Sequence, residues 1–395
     1  MMCLSGRSVQ CKQRPRKVLR GLYSCVLRLG SGFGIGTLET DPYCQWRRGW
    51  IGKLHSGEVL DRQCWAFSAV ISPLKLQGKS LTMELDWIRY LAKILPRYPR
   101  LVVGIGDDAA VLDWGAGNYG VVAVDVVSDG ADFCLREIDP ALAGRKALAV
   151  NLSDLAAMAA QPVAAVVALG LPRQDARSLA ERVYEGLLAL AEDYQVAIAG
   201  GDTHVWDGPL FLAVTVLGLP GPGGIWRRDG AKPNDVILVT GSLGGSILGK
   251  HLHFRPRVRE ALYLAQNYEV HAAIDISDGL LLDLARVAEA SGLAAEISLQ
   301  AIPVDPAAER LSREKGTNRS PLEHALSDGE DYELILAVPP QEAQRMLKDP
   351  AVGVSLTAIG RFVEGEGLWH VEGNFRARLE PAGYVHGHSH QPFGK

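Results

Sequence analysis

Hydrophobic positions become periodic from Leu85 onward. Leu85, Ile88, Leu91, Ala92 and Leu95 fall on one helical face, and Pro96 ends the run. Residues 101–103 read as a short strand, and residues 121–127, dense in β-branched side chains, as a buried one. Asp139-Pro140 opens a helix predicted over 141–160. Strand 163–169, helix 176–194 and strands 196–199 and 210–217 follow. The stretch 220–224, with two prolines and three glycines, suits neither helix nor inner strand and is the expected linker. A second round then runs through strand 236–240, a helix near 257–266, strand 272–274, helix 280–291, strands 295–298 and 332–338, helix 341–348 and strand 357–362. The alternation predicts an α/β (α+β) class in two halves of similar size, 83–219 and 225–395.

Residues 1–82 are different in kind. They show no sustained period, and carry 13 of the 41 Lys and Arg against 4 of the 45 Asp and Glu, leaving the remainder with a net charge of −13. An acidic body does not attract nucleic acid on bulk charge, so no such partner is expected unless the basic head supplies it, which predicts salt-dependent binding lost on deleting 1–82. No apolar run nears the ~20 residues of a membrane span, so no membrane partner is expected either. Cys3, Cys11, Cys25, Cys44 and Cys64 lie in the head and only Cys134 beyond it, without metal-finger spacing, which fits incidental thiols in a reducing, cytoplasmic setting. The simplest expectation for 1–82 is an upstream extension of the reading frame, with the working protein starting at Met83.

Three glycine patterns are set aside on physical grounds. GGSILGK at 244–250 has P-loop spacing, but His251 stands where a hydroxyl must hold Mg²⁺. GAGNYG at 115–120 precedes a strand rather than a helix and is expected to be a turn. GIGDDA at 104–109 has the right spacing, but two carboxylates would repel a bare pyrophosphate unless a cation lies between. His386, His388 and His390 read as a solvated tail.

The informative residues are carboxylates at the ends of apolar elements: Asp107, Asp108, Asp125, Asp154 (three after Asn151 on one helical face), Asp202, Asp275, Asp278, Glu330 and Asp331. Each alone has an ordinary structural role as cap, turn residue or buried acceptor. Collected together they repel unless they share cations. Oxygen donors without Cys or His partners point to Mg²⁺, and Mg²⁺ to phosphate chemistry.

The motifs GIGDDAAV (104–111), NLSDLAAM (151–158), GGDT (200–203), RDGAKP (228–233), IDISDGL (274–280) and SDGEDYEL (327–334) occur in that order. Together they resemble the thiamine-monophosphate kinase family, in the superfamily of aminoimidazole ribonucleotide synthetase, selenophosphate synthetase and a hydrogenase maturation factor. The resemblance runs from Met83 to about Tyr384. It implies a two-domain fold whose N-terminal sheet pairs with its copy in a homodimer, and ATP-dependent phosphorylation of thiamine monophosphate to thiamine diphosphate. Carried over by motif, Asp108, Val124 (through its carbonyl), Asp125, Asp154, Asp202, Asp275 and Asp278 would hold several Mg²⁺ ions. Gly201, Asp202, Arg228 and Ser277 would meet ATP, with Tyr184 by spacing. Glu330 and Tyr384 would lie at the thiamine moiety, and Asp132 on the substrate-phosphate side. No covalent nucleophile is implied, since in-line transfer needs positioning and charge neutralisation.

One stretch departs from the family pattern. Val124 replaces a Thr before Asp125, and Asp132 a His seven residues after it, which removes a hydroxyl and a donor and adds negative charge unless a metal or Arg136 compensates. The alternatives are a superfamily relative with another phosphate acceptor and a non-catalytic nucleotide sensor. Selenophosphate synthetase would need a reactive cysteine in an N-terminal loop beside a lysine, and the maturation factor a C-terminal cysteine; neither pattern is present.

Overall fold

The computed structural model describes residues 83–314 and 318–385. The basic head and the histidine tail lie outside them. Helix α1 (Met83–Ile94) forms as the periodicity predicts, but Ile88 and Leu95 of its apolar stripe are exposed, because the period marks a helix without saying what it packs against.

A first sheet holds β1 (Leu101–Val103), β2 (Ala110–Gly115), β3 (Asn118–Ser128), β4 (Ala160–Pro172), β5 (Ala197–Trp206) and β6 (Phe211–Pro220), in the order β1-β2-β3-β6-β4-β5. Between β3 and β4 runs α2 (Pro140–Ala157), and between β4 and β5 runs α3 (Ala176–Asp193), whose crossover makes β4 and β5 parallel while the other pairs are antiparallel. The second sheet holds β7 (Val236–Thr240), β8 (Ala272–Asp275), β9 (Ala294–Ile297), β10 (Leu334–Val338), β11 (Leu356–Val363), β12 (Gly367–Glu372) and β13 (Phe375–Leu379), in the order β13-β12-β9-β11-β7-β10-β8. It is accompanied by α4 (Lys250–His253), α5 (Val258–Asn267), α6 (Leu280–Ser291), α7 (Pro306–Leu311), α8 (Pro321–Ser327) and α9 (Pro340–Met346).

Helix α2 organises the whole. Asp139 caps it by accepting from the Ala141 amide, Pro140 fills its first turn, and its residues are apolar nearly all round, the pattern of a helix buried on every side. It packs on β3, β4 and β6 of the first sheet, and on α4, α5 and β8 beyond the linker. The core around it therefore runs continuously from Val121, Leu148 and Val214 to Leu238, Phe254 and Tyr332, while a second core lies under α6. The linker is packed rather than loose: Gly221 and Gly224 bridge to each other, and the Trp226 amide reaches the Met158 carbonyl. No helix among the described residues is long and apolar enough to cross a membrane.

Several boundaries differ from the sequence reading. Helix α2 stops at Ala157, and Ala159, at φ 49°, turns the chain into β4. Ala116 (φ 56°) and Gly117 (φ 78°) form the two-residue turn of the β2–β3 hairpin, the GAGNYG segment. Strand β2 itself was not anticipated, nor were β12 and β13. Strand β10 starts at Leu334, not at 332, because Glu330 (φ 55°) and Tyr332 (φ 50°) are left-handed.

Candidate active site

The carboxylates of Asp108, Asp154 and Asp275 converge, one oxygen of each lying within 4.8 Å of the others. Three different elements bring them together: the loop after β1, the C-terminal half of α2 and the end of β8. Asp125 on β3 joins them beside Asp154. The backbone of Asp125 donates to Asn151 Oδ1 (3.1 Å), and Asn151 Nδ2 donates to the Ala147 carbonyl (2.9 Å), so Asn151 fixes β3 against α2.

The electrostatics follow from packing so many acids together. Burial, then the Asp125, Asp275 and Asp108 charges, push the Asp154 carboxyl well above its ordinary range. Asp275 is raised well above it by burial and then by Asp108, although Ser153 Oγ donates to Asp275 Oδ2 at 2.6 Å. Asp125 is pushed up to about 6, by burial and then by Asp132 and other acids, against the bond to Asp154. Asp107 is likewise raised to about 6 by burial and by Asp108. Oxygen donors converging at this spacing, with their ionised forms disfavoured until a cation arrives, fit divalent magnesium.

Two arginines stand against this acidity. Arg228, beyond the linker, donates to both Asp108 oxygens at 2.5 and 3.1 Å, and its amide donates to Asp107 Oδ2 at 3.3 Å. Arg286 on α6 meets Asp278 at 2.5 Å and Asp283 at 2.6 Å. Asp283, fully buried, accepts from the amides of Asp278 and Gly279 at 3.0 Å each and so shapes the turn that carries Ser277 and Asp278. The Glu330 amide donates to the Ser277 carbonyl (2.7 Å), and the Tyr384 amide to the Asp278 carbonyl (2.8 Å). Ser277, Asp278, Glu330 and Tyr384 thus form one patch. Asp331, by contrast, belongs to a separate buried network, accepting from the Gly244 amide and Ser246 Oγ.

Asp132 joins this patch indirectly. Its carboxylate accepts from the Ser128 amide (2.7 Å) and hydroxyl (3.3 Å), which closes its own loop, while its carbonyl accepts from Lys146 Nζ (2.9 Å). The same ammonium meets Glu330 Oε1 at 2.5 Å.

Three expected positions stand apart. Tyr184 is half-buried on α3 against the core. Val124 is 60% exposed on the opposite face of β3 from Asp125. Asp202 lies inside β5, not after a strand, since Gly200 (φ 144°) and Gly201 (φ 155°) let the strand pass where the Val167 carbonyl leaves no room for a Cβ. The register aligns Val126, Ala213, Ala168 and Asp202 across the sheet, and Asp125, Val214, Val167 and Gly201 in the next row. Asp202 therefore shares the outer face with Val126, and β6 and β4 separate its strand from β3 by about 14 Å.

Residues 106–219 match the family model of the AIR synthase related protein N-terminal domain, and 232–370 that of the C-terminal domain. The thiamine-monophosphate kinase of Rhodopirellula baltica is 45% identical over 313 residues, covering 77% of this chain and 98% of the relative. The chain belongs to the thiamine-monophosphate kinase family. Among solved structures, "AaThiL complexed with AMPPCP and TMP" is similar at a TM-score of 0.66 and 28% identity, covering 79% of this chain and 99% of that one. The thiamine-monophosphate kinase of Stenotrophomonas maltophilia K279a is similar at 0.57 and 35%, covering 73% and 95%. The two-domain α/β architecture is that of this family.

The motif residues of the family were visible in the sequence; Lys146, Ser153, Asp283 and Arg286 were not singled out. Lys146 had a legible signal. It lies at i, with Val150 at i+4 and Asp154 at i+8, so one face of an otherwise apolar helix carries both the lysine and the aspartate.

Proposed function

We propose that the chain transfers the γ-phosphoryl group of ATP to the phosphate of thiamine monophosphate, in the cytoplasm, giving thiamine diphosphate. The convergence of Asp108, Asp154 and Asp275 between the two domains carries this reading, together with its place in the kinase family. Asp108, Asp125, Asp154, Asp275 and Asp278 would hold magnesium there. Bound magnesium supplies charge neutralisation between two polyanions, the requirement that dominates phosphoryl transfer. Arg228, once released from Asp108, has a guanidinium ready for phosphate oxygens, and Ser277 offers a hydroxyl at the start of the same patch. Glu330 and the aromatic face of Tyr384 suit a cationic heterocycle. Asp132, turned onto Ser128, shapes the acceptor loop and need not present its charge to the acceptor phosphate. Attack is direct; no side chain forms a covalent intermediate.

The working unit is a homodimer. Val124 (60% exposed), Val126 (59%) and Val166 (37%) make the outer face of the first sheet apolar, and β5 is an exposed ten-residue edge, both liabilities for a lone chain. A second copy on this face would cover the valines and bring its Asp202, with Gly201, toward the acidic cluster of its neighbour.

Incubation of the protein with ATP, Mg²⁺ and thiamine monophosphate, with products identified by mass, tests the reaction. Thiamine diphosphate is expected. ATP binding without any phosphorylated product would favour a nucleotide sensor, and sedimentation as a monomer would remove the dimer.

A further inference from the structure

Lys146 is fully buried in the core, at 0% exposure, and it is charged. An ammonium is expensive to bury unless it is paired and hydrogen-bonded, by several kcal/mol. Here it meets the Asp132 carbonyl at 2.9 Å and the Glu330 carboxylate at 2.5 Å. The first acceptor belongs to the loop after β3 and the second to the turn before β10, so one side chain on α2 spans both halves of the molecule. Glu330 is itself held in a left-handed conformation (φ 55°) that only surrounding structure can impose on a glutamate. Eight residues further along the same helix face stands Asp154, about 12 Å away at ~1.5 Å per residue.

We propose that Lys146 is a positioning residue for the acceptor: its buried ammonium locks the Glu330 carboxylate to the Asp132 loop and sets the distance between the thiamine heterocycle and the carboxylates that handle the phosphates. This rests on the kinase reading above. Nothing in this role requires Lys146 to touch nucleotide or reacting atoms. It acts through Glu330, whose charge it partly compensates and whose orientation it fixes, while the Asp132 carbonyl keeps the ammonium from following Glu330 if the turn moves. Acceptor affinity should therefore depend on Lys146 and nucleotide affinity should not.

The test is calorimetric titration of the full chain with thiamine monophosphate in the presence of AMPPCP and Mg²⁺, and with AMPPCP alone, for wild type, K146M, E330Q and the double variant. K146M should weaken thiamine monophosphate binding by about tenfold or more and leave AMPPCP affinity within about twofold. The double variant should be no worse than E330Q by more than about twofold, because residues acting through one contact are non-additive. Unchanged acceptor affinity, equal losses for both ligands, or additive losses would overturn the proposal. Should K146M not fold, K146R against K146Q decides it: the arginine should retain acceptor affinity that the glutamine loses, and equal behaviour of the two overturns the role. A wild-type chain that binds AMPPCP but neither binds nor phosphorylates thiamine monophosphate would instead sink the kinase reading, and this proposal with it. Acceptor binding without product in wild type would sink only the transfer step.

Discussion

Arg228 grips both carboxylate oxygens of Asp108, Nη2 to Oδ1 at 2.5 Å and Nε to Oδ2 at 3.1 Å, with the Asp108 side chain 1% exposed. The pair ties the first turn after the linker to the loop after β1, and supplies positive charge to the Asp108 side of the cluster, as Arg286 does to Asp278. Removing one partner of such a buried pair costs about 3–5 kcal/mol, because the remaining charge stays desolvated. R228M should therefore lower the melting temperature sharply in EDTA and less in excess Mg²⁺, since the metal takes over the compensation of Asp108. Paired thermal melts check this; an equal loss in both buffers would mean that Asp108 is not a metal ligand.

The raised carboxyls give the metal-free protein a pH dependence with a definite sign. Asp107 and Asp125 move from 3.8 to about 6 on folding, so the folded chain holds protons that the unfolded chain has released between about 4 and about 6. Their contribution to stability is full below about 4 and is lost as pH rises through about 6. Magnesium needs the ionised forms, so its stabilising effect should grow over the same interval. Melting curves across this range, in EDTA and in Mg²⁺, should converge at the acid end and separate toward neutrality. Curves parallel throughout would show that the cluster binds no metal.

How much of this was readable in the chain depended on whether local pattern or long-range packing decides an element. Strands β3, β7 and β8 announce themselves by dense apolar runs, and α3 and α6 by period. Strand β2 holds Asp113 and an exposed Trp114, and β13 at the edge of its sheet and β12 beside it bury few residues, so none of the three has the burial that writes a pattern. Strand β5 was cut short at Ala199 because two glycines normally end a strand; here a close approach to β4 requires Gly201, and Gly200 takes a positive φ beside it. Lys146 escaped because a lysine on a helix ordinarily marks solvent, and only the partners on the Asp132 loop and Glu330, 14 and 184 residues away, make its burial possible. The acids themselves were legible as a set, but which of them share a face across β3 and β5 is a matter of register, which composition does not carry.

That register gives a test of whether Asp202 serves a neighbouring chain's site. Asp202 is exposed, and its carboxylate accepts only from its neighbour Thr203 among the described hydrogen bonds, so D202N should melt as wild type does. Turnover should fall about a hundredfold or more, the loss of a few kcal/mol of charge stabilisation. D154N should be equally inactive. If Asp202 serves the neighbour's cluster, co-expressed D202N and D154N chains form hybrid dimers with one intact site each, and the mixture should regain about a quarter of wild-type activity. No recovery, with hybrids demonstrated by mass, would place Asp202 in its own chain's site or outside the chemistry.

Ser153 offers the finest probe of the cluster, because it changes no charge. Its hydroxyl, 1% exposed as a residue, donates to Asp275 Oδ2 at 2.6 Å, one turn position before Asp154 on α2. That bond favours the ionised Asp275 against burial and the Asp108 charge, and it fixes the orientation of the carboxylate. Outer hydrogen bonds of this kind typically account for about 10- to 100-fold in metal affinity. S153A leaves a methyl in place of the hydroxymethyl group, so packing largely survives while Asp275 loses its donor and is pushed further up. The Mg²⁺ concentration for half-maximal activity should rise by about tenfold or more, while the rate at saturating Mg²⁺ stays near wild type. A lowered saturating rate with unchanged Mg²⁺ dependence would instead mean that Ser153 positions something other than a metal ligand.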